Sequence, residues 1–167
     1  MKTTLKIFLF LVVAFGFSAT AMAQTSTTAS ATILTPITVT KVTDLNFGNV
    51  VPSGVAGTIQ LSTAAVRTPS GGASVAASNV GTVSVAEFNL AGETGATFNI
   101  TLPSSVTLNG PSSSTMTVDN FTSTPSSPGT LTGGAANVKV GATLNVGINQ
   151  TVGTYSSASF NVTFAYN

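Results

Sequence analysis

Glu87 and Glu93 are the two carboxylates closest in sequence, one on either side of Ala91-Gly92. Two such groups flanking a sugar are what a glycosidase needs. The plainer reading is that both solvate the end of a hairpin. Asp44 and Asp119 each stand close to an asparagine, Asn46 and Asn120, which is ordinary turn chemistry. The chain has no histidine and no cysteine. General acid–base catalysis draws mostly on histidine or paired carboxylates, and zinc and copper sites of the usual kinds need imidazole or thiolate. Calcium would accept carboxylates and carbonyls, but no Asp-x-Asp-x-Asp loop is present. Serine and threonine hydroxyls are abundant, yet nucleophilic catalysis needs a base beside one. Lys41 and Lys139 lie at no Ser-x-x-Lys spacing. The Gly pairs at 71–72 and 133–134 lack the Lys-Ser/Thr of a phosphate loop. The expectation is therefore no catalytic residue, no metal, no cofactor, and a protein that is not an enzyme. An enzyme using Glu87 or Glu93 is the last-ranked reading.

What the chain does offer is a patterned C-terminal segment. Phe160, Val162, Phe164 and Tyr166 recur every second residue, with Asn161, Thr163, Ala165 and Asn167 between them. Alternate side chains of a strand point to opposite faces, so this segment predicts an apolar face backed by a mostly polar one. Such a strand either closes the protein's own sandwich or pairs with another chain.

Residues 1–23 read as a signal peptide. Lys2 and Lys6 start it, an apolar run follows over residues 7–17, and Ala21-Met22-Ala23 is a small-x-small cleavage site. The run is shorter than the about 20 apolar residues that span a bilayer, and no later stretch qualifies as a transmembrane segment. The protein is expected to be exported, to the periplasm, the cell surface or the medium. Residues 24–167 suit one domain with a real core. Lys41, Arg67 and Lys139 stand against Asp44, Glu87, Glu93 and Asp119, a net charge of −1. That charge offers no basic patch for phosphate backbones, so nucleic acid is excluded as a partner. Seven charges is few where soluble domains carry about 25 % charged residues. Near-zero net charge favours association. Two readings follow: an extracellular β-protein with a Ser/Thr coat, or a subunit that packs against copies of itself. With no cysteine, stability must come from burial and sheet pairing.

After residue 24 the chain reads as strands throughout, dense in Val, Ile, Thr and Phe and broken by Gly, Pro, Asn and Ser. Residues 24–32 form a flexible lead. Strands are expected at 33–42, with Pro36 demoting part of the first to an edge, at 44–51 with Leu45 and Phe47 inward, and at 58–62. Residues 67–72 are expected to be a loop. A strand at 81–90 changes phase near Ala86-Glu87, which predicts a β-bulge there. Further strands are expected at 96–102, 106–108, 116–122 and 137–146, with a loop at 123–134. The C-terminal strand closes the set. Eight or nine short strands with turns about every ten residues predict an all-β, immunoglobulin-like sandwich in a single domain over 33–167. No repeat suggests a solenoid. The sequons at Asn99, Asn120, Asn149 and Asn161 are incidental in a chain so rich in Asn and Thr.

Residues 31–48 (ATILTPITVTKVTDLNFG), 100–108 (ITLPSSVTL), 116–121 (MTVDNF) and 140–146 (VGATLNV) resemble a secreted bacterial family known as domain of unknown function 4402. That resemblance implies family and no activity. The C-terminal segment also resembles subunits of the chaperone–usher pilin type and their spore-coat relatives, which end in an alternating strand with a penultimate Tyr and a Gly fourteen residues before the last. Tyr166 and Gly153 match. The resemblance implies a sandwich that lacks one strand, a groove bordered by Phe160, Val162, Phe164 and Tyr166, and a gap filled first by a chaperone and then by the N-terminal extension of the next subunit. The physics is β-augmentation. Two features depart from the pilin pattern: the lead offers only Ala29 and Ala31 before Ile33, and the usual cysteine pair is missing.

The function expected is thus a secreted, non-enzymatic fimbria- or surface-layer-like subunit that associates by strand addition. Its partners would be copies of itself or a periplasmic chaperone. Its pairing residues would be Gly153, Tyr155, Phe160, Val162, Phe164 and Tyr166, with Ile33, Ile37 and Val39 on the donor side. The alternative is a self-complete adhesin or carbohydrate-binding module using loops 66–74 and 123–136.

Overall fold

The computed structural model describes residues 22–78 and 80–167. Its contacts divide the chain into Met1–Ile33 and Leu34–Asn167. The expected signal peptide falls mostly outside the described residues. Residues 22–33 carry no strand, so the strand expected from Ile33 begins instead at Thr38, past Pro36. Among the described residues the second unit holds fourteen strands: β1 (Thr38–Thr43), β2 (Asn46–Phe47), β3 (Val50–Val51), β4 (Gly57–Leu61), β5 (Arg67–Gly71), β6 (Ser74–Val75), β7 (Val83–Ser84), β8 (Ala86–Ala91), β9 (Thr97–Thr101), β10 (Ser105–Asn109), β11 (Thr115–Thr124), β12 (Gly129–Thr130), β13 (Ala135–Val146) and β14 (Thr163–Tyr166). Nine of them run four residues or more. One 3-10 turn, Pro111–Ser113, is the only helical element among the described residues. The fold is all-β and antiparallel, a sandwich as the strand pattern predicts.

One layer is a seven-stranded sheet ordered β1-β8-β13-β11-β10, with β4 on β13 and β5 on β4. β13 organises it. Residues 135–140 pair with β8, and residues 142–146 pair with β4. Gly141 is where one partner gives way to the other. A Cβ there would run into the carbonyl of Leu61 and the backbone of Ser62 and Thr63, so only glycine lets β4 come in against β13. The facing layer is the three-stranded sheet β12-β9-β14, flanked by the two-strand pairs β2-β7 and β3-β6.

The alternation read over residues 137–146 holds: Val138, Val140, Ala142, Leu144 and Val146 are all buried. They divide between two clusters. Val138 and Val140 pack with Leu90, Phe98, Ile100, Leu131 and Phe164 beneath the three-stranded sheet. Ala142, Leu144 and Val146 pack with Phe47, Ile59, Leu61, Val85 and Val118. The first cluster is roofed by strands. The second is roofed mainly by loops and the two-strand pairs.

Several expectations need correction. The segment expected as a loop at 67–72 is strand β5, closed onto β4 by a turn in which Ser62 N donates to Val66 O (3.0 Å). Pro69 is tolerated there because β5 pairs on one side only. The run 44–51 is not continuous. It breaks at Gly48, whose φ of +67° suits glycine, and Arg67 Nη1 clamps the kink by donating to the carbonyls of Phe47 (2.9 Å) and Asn49 (3.0 Å). The irregularity expected near Ala86-Glu87 appears as a break at Val85 between β7 and β8. The register shift lies across the ladder, on β1 between Lys41 and Thr43. The loop expected over 123–134 contains β12, which pairs with β9.

Candidate functional site

The looped half of the sandwich contains a groove of about 1200 Å³. Its floor is the inner face of the large sheet: Val106 and Leu108 from β10, Met116, Val118 and Phe121 around β11, and Leu144 and Val146 from β13. One wall is the kinked segment 44–52, including Leu45, Phe47 and Val50. The other is a strap, residues 150–160. Strands in a sheet lie about 4.8 Å apart, sheets about 10 Å apart, and each residue rises about 3.3 Å. A volume of 1200 Å³ therefore matches one strand of roughly seven or eight residues.

The backbone of both walls is only partly paired. β2 and β3 pair on one side only, with β7 and β6. On the strap, Ser156 exchanges bonds with Asn109 (2.7 and 3.0 Å), and the β14–β9 ladder starts at Thr163. Residues 157–162 between these points join no ladder among the described residues. The two walls run in opposite directions, because β1 leads into β2 along the direction of β13 while the Ser156–Asn109 bridge is antiparallel to β10.

The strap is tied at one end. The Tyr155 hydroxyl accepts from Gln150 Nε2 (2.8 Å) and lies 2.7 Å from both Ser114 Oγ and the Thr151 carbonyl oxygen. Its ring covers Gly110, where a Cβ would clash with it, and Gly153 stacks on Pro111 with φ of +149°. Phe160 reaches back to the floor, its ring 5.7 Å from Phe121.

Of the residues singled out in the sequence, Gly153, Tyr155 and Phe160 line the groove. Val162, Phe164 and Tyr166 do not. They belong to the roofed half, because β14 pairs with β9 in register Phe164↔Ile100 and Tyr166↔Phe98. Phe164 sits 5.5 Å from the Phe88 ring and 6.4 Å from Phe98. Tyr166 closes the far end: its hydroxyl accepts from Glu93 N (2.7 Å) and donates to the Thr35 carbonyl (2.7 Å). Ile37 packs against the same cluster. Val39 faces Leu90 across the β1–β8 ladder and is 45 % exposed. Ile33 lies before the strand.

The carboxylates Glu87 and Glu93 stand apart from the groove lining. Glu87 accepts from Asn137 Nδ2 (2.8 Å) and Glu93 from Thr35 N (3.2 Å). At the groove's rim Lys41 and Asp44 form a 2.6 Å ion pair, mostly exposed, of the kind that adds little stability.

The strands carrying Val106, Leu108 and Met116 were legible in the sequence, but the groove floor they form was not. The signal for that was the segment after Val146. Residues 147–159 are too poor in apolar side chains to cover an apolar sheet face: Val152 is 89 % exposed.

The chain matches the model of the family described as Domain of unknown function (DUF4402) over residues 37–166. No curated protein and no solved structure matches it.

Proposed function

The chain belongs to the DUF4402 family, a family of unknown function, and we propose that this member is an exported, non-enzymatic structural subunit that takes an extended strand of a partner into its groove. The observation that carries this reading is an apolar floor walled by backbone that is only partly paired: β2 and β3, each paired on one side only, and residues 157–160, which join no ladder among the described residues. A small apolar ligand would cover the floor and leave that backbone only partly paired. A strand satisfies both, since its main chain bonds to the walls while its alternate side chains enter the floor. Because the walls run in opposite directions, the entering strand is parallel to one and antiparallel to the other.

The partner in this reading is another copy of the chain or a periplasmic chaperone, and the role is that of a fimbria- or surface-layer-like subunit. Export is supported by the basic start, apolar run and small-x-small site of residues 1–23. A non-enzymatic role is supported by the separate engagement of Glu87 and Glu93. The loop-based adhesin reading loses ground at residues 66–74, where most of the segment is strand.

The test is light scattering with negative-stain imaging of residues 24–167 and of a form lacking 24–33. Multimers or filaments from the first, and a folded monomer from the second, are expected. Unchanged polymerisation of the shortened form would exclude the lead as donor. A clean monomer from the longer form, with no strand-like peptide able to bind it, would overturn strand addition itself.

A further inference from the structure

The solvent face of the large sheet differs between its two halves. Around β8 the polar side chains satisfy one another: Asn137 Nδ2 lies 2.8 Å from both Glu87 Oε1 and Asn89 Oδ1. Across the other five strands, β10-β11-β13-β4-β5, the register lines up Thr107, Thr117, Asn145, Thr58 and Ser70 in one row. The neighbouring row, from Ser105 to Thr68, repeats the pattern with Asp119 as its one charge and Thr143 buried at its centre. Strands stand about 4.8 Å apart and same-face residues about 6.8 Å along a strand. The face is therefore a lattice of hydroxyl and amide groups about 19 Å across.

Three features make this more than a wet surface. Among the described residues, the hydroxyls of Thr58, Thr107, Thr117 and Ser70 have no hydrogen-bond partner in the chain. Threonine is stiff at χ1, so fixing these donors on a ligand loses little rotamer entropy. The middle of the first row also borders a shallow depression of about 500 Å³, lined by Thr58, Thr117 and Asn145 together with Met116, Val146 and Gln150, where Gly57 and Gly147 leave the wall without side chains.

A ligand suited to this surface is uncharged, rich in hydroxyl or amide groups, and extended with a repeat close to the strand spacing. A protein partner would want buried aromatic or Arg anchors, and the row has none. We infer that this row and its depression form a binding face for an extended neutral polysaccharide. The contact is made by hydrogen bonds laid flat on the sheet, not by ring stacking, since no aromatic side chain stands on the row. Each site is weak, and many copies presented together bind by avidity. The row lies on the outer face of the sheet, and the depression shares Met116, Val146 and Gln150 with the groove lining.

The test is depletion of the protein, residues 24–167, from solution by microcrystalline cellulose and by chitin, at low and at molar salt. Retention on at least one polymer, insensitive to salt because no ion pair is involved, is expected. The double variant Thr58→Glu/Thr117→Glu should lose affinity by about tenfold or more. Thr40→Glu, on the β8 half of the same face, should bind as the parent does. No retention on either polymer, loss at high salt, or equal loss in Thr40→Glu would overturn the proposal. If the double variant fails to fold, titration of the parent with cello- and chito-oligosaccharides decides. Shifts at the Asn145 side-chain amide support the site, and shifts elsewhere or none exclude it.

Discussion

The hydroxyl of Tyr166 donates a 2.7 Å hydrogen bond to the carbonyl of Thr35, joining residues 131 positions apart. The same oxygen accepts from the Glu93 backbone N–H. One side chain near the end of the chain thus holds both the segment entering β1 and the turn between β8 and β9. Gly92 lies beneath it because a Cβ there would meet the hydroxyl. Tyr166→Phe keeps the ring and removes both bonds. A loss of about 1–2 kcal/mol is expected, measured as a lower urea midpoint with an unchanged slope. A neutral result would mean that water replaces the hydroxyl at no loss.

Gly141→Ala should be costlier. The added methyl would meet backbone atoms of Leu61, Ser62 and Thr63, which cannot rotate away as a side chain could. Overpacking of this kind costs about 1–3 kcal/mol, and β4 is the strand that must move. Hydrogen exchange should show faster opening of β4 and β5 than of β8.

Leu61 and Leu108 face the same side of the large sheet in different surroundings. Leu61 is 1 % exposed and lies outside the groove lining, and Leu61→Ala should destabilise by about 2–5 kcal/mol. Leu108 lines the groove. Leu108→Ala should cost less stability and weaken association instead. Thermal unfolding and light scattering of both variants separate the two effects. The strand-addition reading would lose its floor if Leu108→Ala left association untouched.

Residues 157–160 supply the strap edge. Successive residues of a strand direct their N–H groups to opposite sides, so of two neighbours only one points its donor into the groove. Proline removes that donor. Of Ala158→Pro and Ser159→Pro, one should therefore abolish multimers and the other leave them. Equal effects in the two would show that main-chain pairing to this wall is not what binds the partner.

Much of this fold was legible in the chain. The alternation from Val138 to Val146 announced the central strand, because a strand buried on one face must repeat at two. Phe98 and Ile100 announced β9 in the same way. Strand β5 was hidden because Pro69 and Gly71 read as loop punctuation, and an edge strand tolerates both. The break at Gly48 has a local signal, the Asn46 side chain that accepts from the Gly48 N–H (2.9 Å), while its second clamp, Arg67, is distant in sequence. Phe164 and Tyr166 were legible as inward-facing, but not as members of the roofed half.

The sequence by itself determined the class of fold and the inward face of most long strands, because side-chain alternation is a local property of the extended backbone. It also determined the scarcity of charge that leaves both the groove and the threonine rows nearly neutral. Only the tertiary structure decided which stretch of apolar face goes without a roof. That depends on where the short sheet β12-β9-β14 ends above β13 and on how the polar strap from Gln150 to Phe160 crosses the gap. Which threonines share a row was likewise decided by register across five strands drawn from distant parts of the chain. Local pattern cannot specify that register, because each strand satisfies its own alternation whichever neighbour it meets.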